Sequence, residues 1–193
     1  FIIVQLVNHW RGKIETNIDA MIAFGAGVVG SLTFAFTDSH WFNAVEAEVY
    51  AFSTFFTAIV VWLALLWSEK ADEKGNERYI LIIAYMIGLA TGLHLLNLLT
   101  IPFVALLIYF KKFKFEWTSF AILVLLTGLV FFIIHNVIIK GMPKIADAIG
   151  VSATALLVIT IFASMVWAIL NHKQLLSIVL TSIVLVLIGY STY

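Results

Sequence analysis

Between two long apolar runs lies Asp38-Ser39-His40-Trp41-Phe42-Asn43-Ala44-Val45-Glu46-Ala47-Glu48-Val49-Tyr50, which gathers acids, a histidine, an asparagine and amphipathic aromatics. Carboxylates serve as general bases, as metal ligands or as anchors for sugar hydroxyls, and Trp41 and Tyr50 offer faces on which a sugar can stack. Over a helix spanning 41–52, Glu46 and Tyr50 are four residues apart and share a face, whereas Glu48 points to nearly the opposite side. The two glutamates are therefore expected to act singly. An equally simple reading is an interfacial loop, with Trp41 and Tyr50 in the aromatic belt and the acids in water.

A second constellation is Gly92-Leu93-His94-Leu95-Leu96-Asn97. A histidine near a membrane surface can hold a phosphate through hydrogen bonds, and on a helix Thr91, His94 and Asn97 would share one face. The alternative is a histidine bonded to a neighbouring helix. His9, His135 and His172 are scattered, and no two histidines show the close spacing of a zinc site. The chain has no cysteine, which excludes disulfides, thiolate metal sites and cysteine nucleophiles. It also lacks a Walker loop, a dinucleotide fingerprint and a nucleophile elbow, so nucleotide-driven transport would need another subunit.

The elements that must position these residues are membrane helices. Hydrophobic residues make up 63% of the chain and charged residues 11%, with a mean hydropathy of +1.07. A soluble domain is about 25% charged. Zero net charge and the absence of a Lys/Arg block argue against a nucleic-acid partner. The expected fold is all-α: a polytopic transmembrane bundle of about seven helices over 21–37, 51–67, 79–93, 98–110, 118–139, 151–170 and 175–193. A partial helix over 1–7 precedes them, because an apolar run that short cannot cross a membrane needing about 20 residues. Segments 8–20, 68–78 and 140–150 read as polar connections.

Gly25, Gly27 and Gly30 could admit a neighbouring helix closely, and an equal reading of Gly27 and Gly30 is the general abundance of glycine in membrane helices. The 92–97 junction has too few polar residues for a water-exposed loop and is expected to sit below the membrane surface, covered by protein or water. Pro102 fits the first turn of the next helix. The chain starts and ends within apolar runs, so 1–193 reads as one transmembrane domain from inside a longer protein that has further N-terminal helices and a soluble C-terminal region.

Lys and Arg alternate between connections. One set holds Arg11, Lys13, Lys70, Lys74, Arg78, Lys111, Lys112, Lys114 and Lys173; the other holds Lys140 and Lys144. The positive-inside tendency makes the first set cytoplasmic. Asp38, His40, Glu46, Glu48, His94 and Asn97 then lie outside, in a bacterial periplasm or a eukaryotic lumen.

The stretch 39–51, followed at a suitable distance by Gly92-Leu93-His94-Leu95-Leu96-Asn97-Leu98-Leu99-Thr100-Ile101-Pro102, resembles a Bacteroidetes-type family of multi-pass membrane proteins. That family is related to a vertebrate transmembrane protein O-mannosyltransferase and looks like a branch of the GT-C glycosyltransferases. The resemblance extends more loosely over most of the chain, and Gly189-Tyr190-Ser191-Thr192-Tyr193 is similar to the family's last membrane segment.

The resemblance implies an inner-membrane enzyme that moves a sugar from a polyprenyl-phosphate donor to a protein or glycan acceptor outside the cytoplasm. The family's main base lies in an Asp-x-Gly-Glu-like motif near its N-terminus, and 1–193 contains no such motif. The match carries Glu48, with Glu46 as the alternative, onto a catalytic position contacting sugar, acceptor or a divalent metal. Asp38, His40, Trp41, Asn43, Tyr50, His94 and Asn97 would bind substrate, with His94 steadying the carrier phosphate. The resemblance makes no cofactor certain, and the carboxylates leave room for a divalent metal. The rival readings are a multi-pass transporter, which would need a polar path to the cytoplasmic side, and a non-catalytic membrane subunit.

Overall fold

The computed structural model describes residues 1–45 and 49–192, apart from the side chain of Asn43. The described residues are helical throughout, with short connections. In order they form α1 (Ile2–Arg11), α2 (Asn17–Ala35), α3 (Asp38–Val45), α4 (Tyr50–Glu69), α5 (Glu77–Leu93), a 3-10 turn (Leu95–Leu99), α6 (Thr100–Lys112), α7 (Trp117–Phe132) continued by a π-helical segment (Ile133–Ile139), α8 (Gly141–Ile149), α9 (Val151–Leu170) and α10 (Gln174–Tyr190).

Five stretches are long and apolar enough to cross a membrane: Asn17–Ala35, Tyr50–Glu69, Leu95–Lys112, Trp117–Ile149 and Val151–Leu170. The other two of the seven expected helices, α5 and α10, have 17 residues each and fall short of that length. They pack on one another at the centre, where α4 also lies against α5. A methyl added at Gly88 would stand 2.5 Å from the Val186 carbonyl oxygen, and one at Gly189 would stand 2.7 Å from the Tyr85 carbonyl oxygen. Two backbones thus touch without intervening side chains, the close approach that small residues permit between membrane helices.

On the flanks α9 packs on α10, α6 on α4, α7 on α6, and the α1–α2 hairpin beside α4. Gly27 and Gly30 receive Val4 and Ile3 of α1, as expected for small residues at a crossing, whereas the space beside Gly25 is open. The core is built from Val60, Leu63, Ile83, Ile87, Leu98, Val104, Ile134, Ile138 and Val186, drawn from six of these segments.

Three boundaries differ from the sequence reading. Helix α2 begins inside the supposed polar connection, because Thr16 caps it: the Asp19 N–H donates to Thr16 Oγ1 (3.1 Å) while the Thr16 N–H donates to the Asp19 carboxylate (3.2 Å). The 140–150 segment is the amphipathic helix α8, with Pro143 in its first turn and its end at Gly150, where φ is 90°. The helix expected over 118–139 changes to π geometry at Ile133.

The contacts also sort the connections by end. The Lys112 ammonium lies 3.0 Å from the Asp72 carboxylate, and Gln174 Nε2 donates to Glu77 Oε1 at 2.8 Å, so these residues share one end of the bundle. Tyr50, Ser53 and Thr57 of α4 meet His94 and Asn97 at the other.

Candidate functional site

The candidate site lies at the end shared by the first turns of α4, the last turn of α5 and the 3-10 turn. Asn97 organises it from within. Its Oδ1 accepts from Ser53 Oγ (2.9 Å) and Thr57 Oγ1 (3.0 Å), and its Nδ2 donates to the Ala90 carbonyl (2.7 Å). One carboxamide thereby ties α4, α5 and the 3-10 turn together, at 3% exposure. Thr100 Oγ1 donates to the Asn97 carbonyl and Thr91 Oγ1 to the Ile87 carbonyl, both at 2.7 Å. Thr91, Asn97 and Thr100 are buried, and all lie at this end.

The expectation that Thr91, His94 and Asn97 share a helical face is not met. Helix α5 stops at Leu93, and His94 has extended backbone, with φ −151° and ψ 123°. That break turns Thr91 and Asn97 inwards and leaves His94 half-buried at the rim. The His94 ring packs on Tyr50, with centroids 5.3 Å apart and planes at 45°. Its Nδ1 accepts the Leu96 N–H at 3.1 Å. In the neutral ring the proton therefore resides on Nε2, which is left to donate to an incoming oxygen.

Asp38 and Trp41 are exposed on α3, while His40 is half-buried and packs on Phe34 at 4.6 Å between ring centroids. Helix α3 ends at Val45 and α4 starts at Tyr50. Glu46 and Glu48 lie outside the described residues, as does the Asn43 side chain, so the expected relation of Glu46 to Tyr50 falls there too. Among the described residues no three His, Asp or Glu side chains group so that they could hold a metal ion. The structure adds Ser53 and Thr57, which sequence reasoning passed over; their signal was a hydroxyl pair at i and i+4 within an apolar run.

The arrangement supplies a ring N–H donor and an aromatic wall at one end of the bundle. Residues 1–117, which include this rim, match the family model described as "Protein O-mannosyl-transferase TMEM260 N-terminal domain". The chain belongs to this family. No curated protein and no solved structure matches the chain. Membership of the TMEM260 family makes it a multi-pass membrane protein of glycosyltransferase type. The matched region ends just inside α7, so the π segment and α8 to α10 lie beyond it.

Proposed function

We propose that this chain carries part of the donor site of a GT-C-type glycosyltransferase, which moves a sugar from polyprenyl phosphate to a hydroxyl of a protein or glycan outside the cytoplasm. The match of 1–117 to the O-mannosyltransferase domain is the observation that carries the reading. The name of the family favours mannose as the sugar. The concentration of Lys and Arg at the opposite end supports a reading in which the His94 rim lies outside, in the periplasm if the cell is bacterial.

In the reaction the acceptor oxygen forms a bond to the anomeric carbon as the bond from that carbon to the carrier phosphate breaks. The phosphate leaves with the electron pair and a base takes the acceptor proton. His94 Nε2–H donates to the phosphate oxygen on which charge develops, where a fixed donor contributes most. Tyr50 holds the imidazole in place, and Asn97 fixes the backbone on which it sits. Trp41 offers a stacking face to the sugar, while Asp38, His40 and Asn43 contact its hydroxyls or the acceptor. Glu48, with Glu46 as the alternative, engages the sugar, the acceptor or a divalent metal.

The test is transfer from a radiolabelled polyprenyl-phosphate sugar by the purified protein. His94→Ala and Glu48→Gln should each cut transfer strongly while thermal unfolding stays unchanged; near-normal transfer by both variants overturns the assignment.

A further inference from the structure

The turn that joins α6 to α7 lies at the end of the bundle away from the His94 rim, where Lys112 meets Asp72. Its sequence, Lys111-Lys112-Phe113-Lys114-Phe115-Glu116-Trp117, interleaves cations with large rings. Asp, Glu, Lys and Arg are absent from 95–110 before it and from 118–139 after it. Both helices therefore leave the hydrocarbon here, and the turn sits at headgroup depth.

The turn is firmly held. Tyr109, 4% exposed, places its hydroxyl 2.6 Å from Ser119 Oγ and accepts the Glu116 N–H at 3.1 Å. The Phe113 N–H donates to the Tyr109 carbonyl at 2.8 Å, and the Phe120 N–H to the Glu116 carbonyl at 2.9 Å. One phenol thus ties the end of α6 to the start of α7. Rings then pack over the connection: Phe113 on Tyr109 (5.9 Å between centroids, planes at 24°), Phe115 on Phe110 (6.4 Å, 12°) and Trp117 on Phe115 (5.1 Å, 76°). Phe110, Phe113 and Phe115 are nevertheless exposed, and Trp117 is 76% exposed. Rings already fixed in place lose little freedom when a ligand settles on them.

The lysines have separate tasks. Lys112 is engaged by Asp72 at 3.0 Å. Lys111 and Lys114 are exposed and have no ion-pair partner among the described residues. Within 111–117, Glu116 is the one acid facing three lysines. The neighbouring connection 68–78 instead sets Lys70, Lys74 and Arg78 against Glu69, Asp72, Glu73 and Glu77. Of the two connections, only the aromatic turn carries excess positive charge.

We propose that this turn is a docking site for an acidic phospholipid of the surrounding leaflet. Lys111 and Lys114 contact the headgroup phosphate, and the exposed rings of Phe113, Phe115 and Trp117 lie against the glycerol and the first methylenes. An acidic headgroup matches the uncompensated lysines, whereas a zwitterionic one brings a cation of its own that they repel. The depth of the turn favours lipid over an acidic peptide, since the rings sit in the layer that phospholipid headgroups occupy. The site needs no sugar donor and is separate from the His94 rim.

The test is native mass spectrometry of the purified protein in detergent, titrated with phosphatidylglycerol or with phosphatidylcholine of the same acyl chains. Phosphatidylglycerol should bind more tightly. Lys111→Gln and Lys114→Gln together should weaken it about thirtyfold, as expected for two cations at headgroup depth, and leave phosphatidylcholine unchanged. Neither lysine has a partner to lose, so thermal unfolding should stay as in the wild type. Lys70→Gln with Lys74→Gln removes as much charge from the same end and should have little effect. Tyr109→Phe keeps the ring but releases the turn, and should weaken phosphatidylglycerol several-fold with every lysine in place. An unchanged preference in the Lys111 and Lys114 variant or in the Tyr109 variant overturns the proposal, as does an equal loss on replacing Lys70 and Lys74. Displacement of the lipid by inorganic phosphate or by a poly-glutamate peptide also overturns it, the second by making the partner a protein.

Discussion

At the scale of single residues, His94 and Asn97 perform different tasks although they are three apart. His94 presents a donor to the rim, so removing it should act on the chemistry. His94→Ala is expected to lower the maximal transfer rate about a hundredfold, in the range seen when an oxyanion donor is deleted. His94→Gln, which keeps an N–H, should recover part of the rate; the check is initial-rate kinetics at saturating donor. Asn97 acts on the fold. Asn97→Leu leaves the Ser53 and Thr57 hydroxyls without their acceptor and strips one donor from the Ala90 carbonyl. A loss of about 1–2 kcal/mol is expected, since such bonds in membrane proteins are worth less than full desolvation suggests. Thermal unfolding in detergent reads it, and transfer should fall as well because the backbone holding His94 loosens.

At the scale of elements, the contact between α5 and α10 rests on two glycines that face backbone. Gly189→Leu must push the helices apart, and a cost of about 3 kcal/mol or more is expected for overpacking against main chain. Gly25→Ala, in open space, should leave the melting temperature within a degree or so of wild type, and helix propensity favours alanine. The connection after α4 is secured differently. A hydrogen bond from Lys112, reinforced by its charge, holds the Asp72 carboxyl below its ordinary value of 3.8. A depressed carboxylate contributes stability above its unfolded value, and that contribution disappears as pH falls through the lower folded value. Asp72→Asn should therefore flatten the acid limb of a stability–pH profile below about pH 4 and lessen its salt dependence, with little effect near neutrality. The pair is exposed, so the change is small.

At the scale of the molecule, the contacts place the connections that carry Asp72, Glu77, Lys112 and Gln174 at one end and the His94 rim at the other. The absence of cysteine makes the arrangement directly measurable. Single cysteines at Ser39 and at Asn76 should react oppositely with a membrane-impermeant maleimide added to intact cells, with Ser39→Cys labelled and Asn76→Cys protected until the membrane is opened. The reverse pattern would put the rim on the cytoplasmic side and remove the lipid-linked donor reading. Two further features show at this scale: α5, with 17 residues, buries more of them than any other helix, and α7 contributes no buried residue.

The membrane class, the all-helical fold, the alternation of charge and the two polar constellations could all be read from the chain, because hydrophobic length and charge are local properties. Gly27 and Gly30 were legible for the same reason. Gly88 was not, because a glycine reveals nothing about its neighbour until another helix is laid against it. Nor did spacing foresee that His94 and Asn97 part company, since periodicity assumes a continuous helix and α5 breaks at the histidine itself. Pairing Asn97 with Ser53 and Thr57 joins positions about 40 residues apart in sequence. Only the packing of α4 on α5 could bring those hydroxyls and that carboxamide together, because in an apolar interior each has to find its partner within the protein.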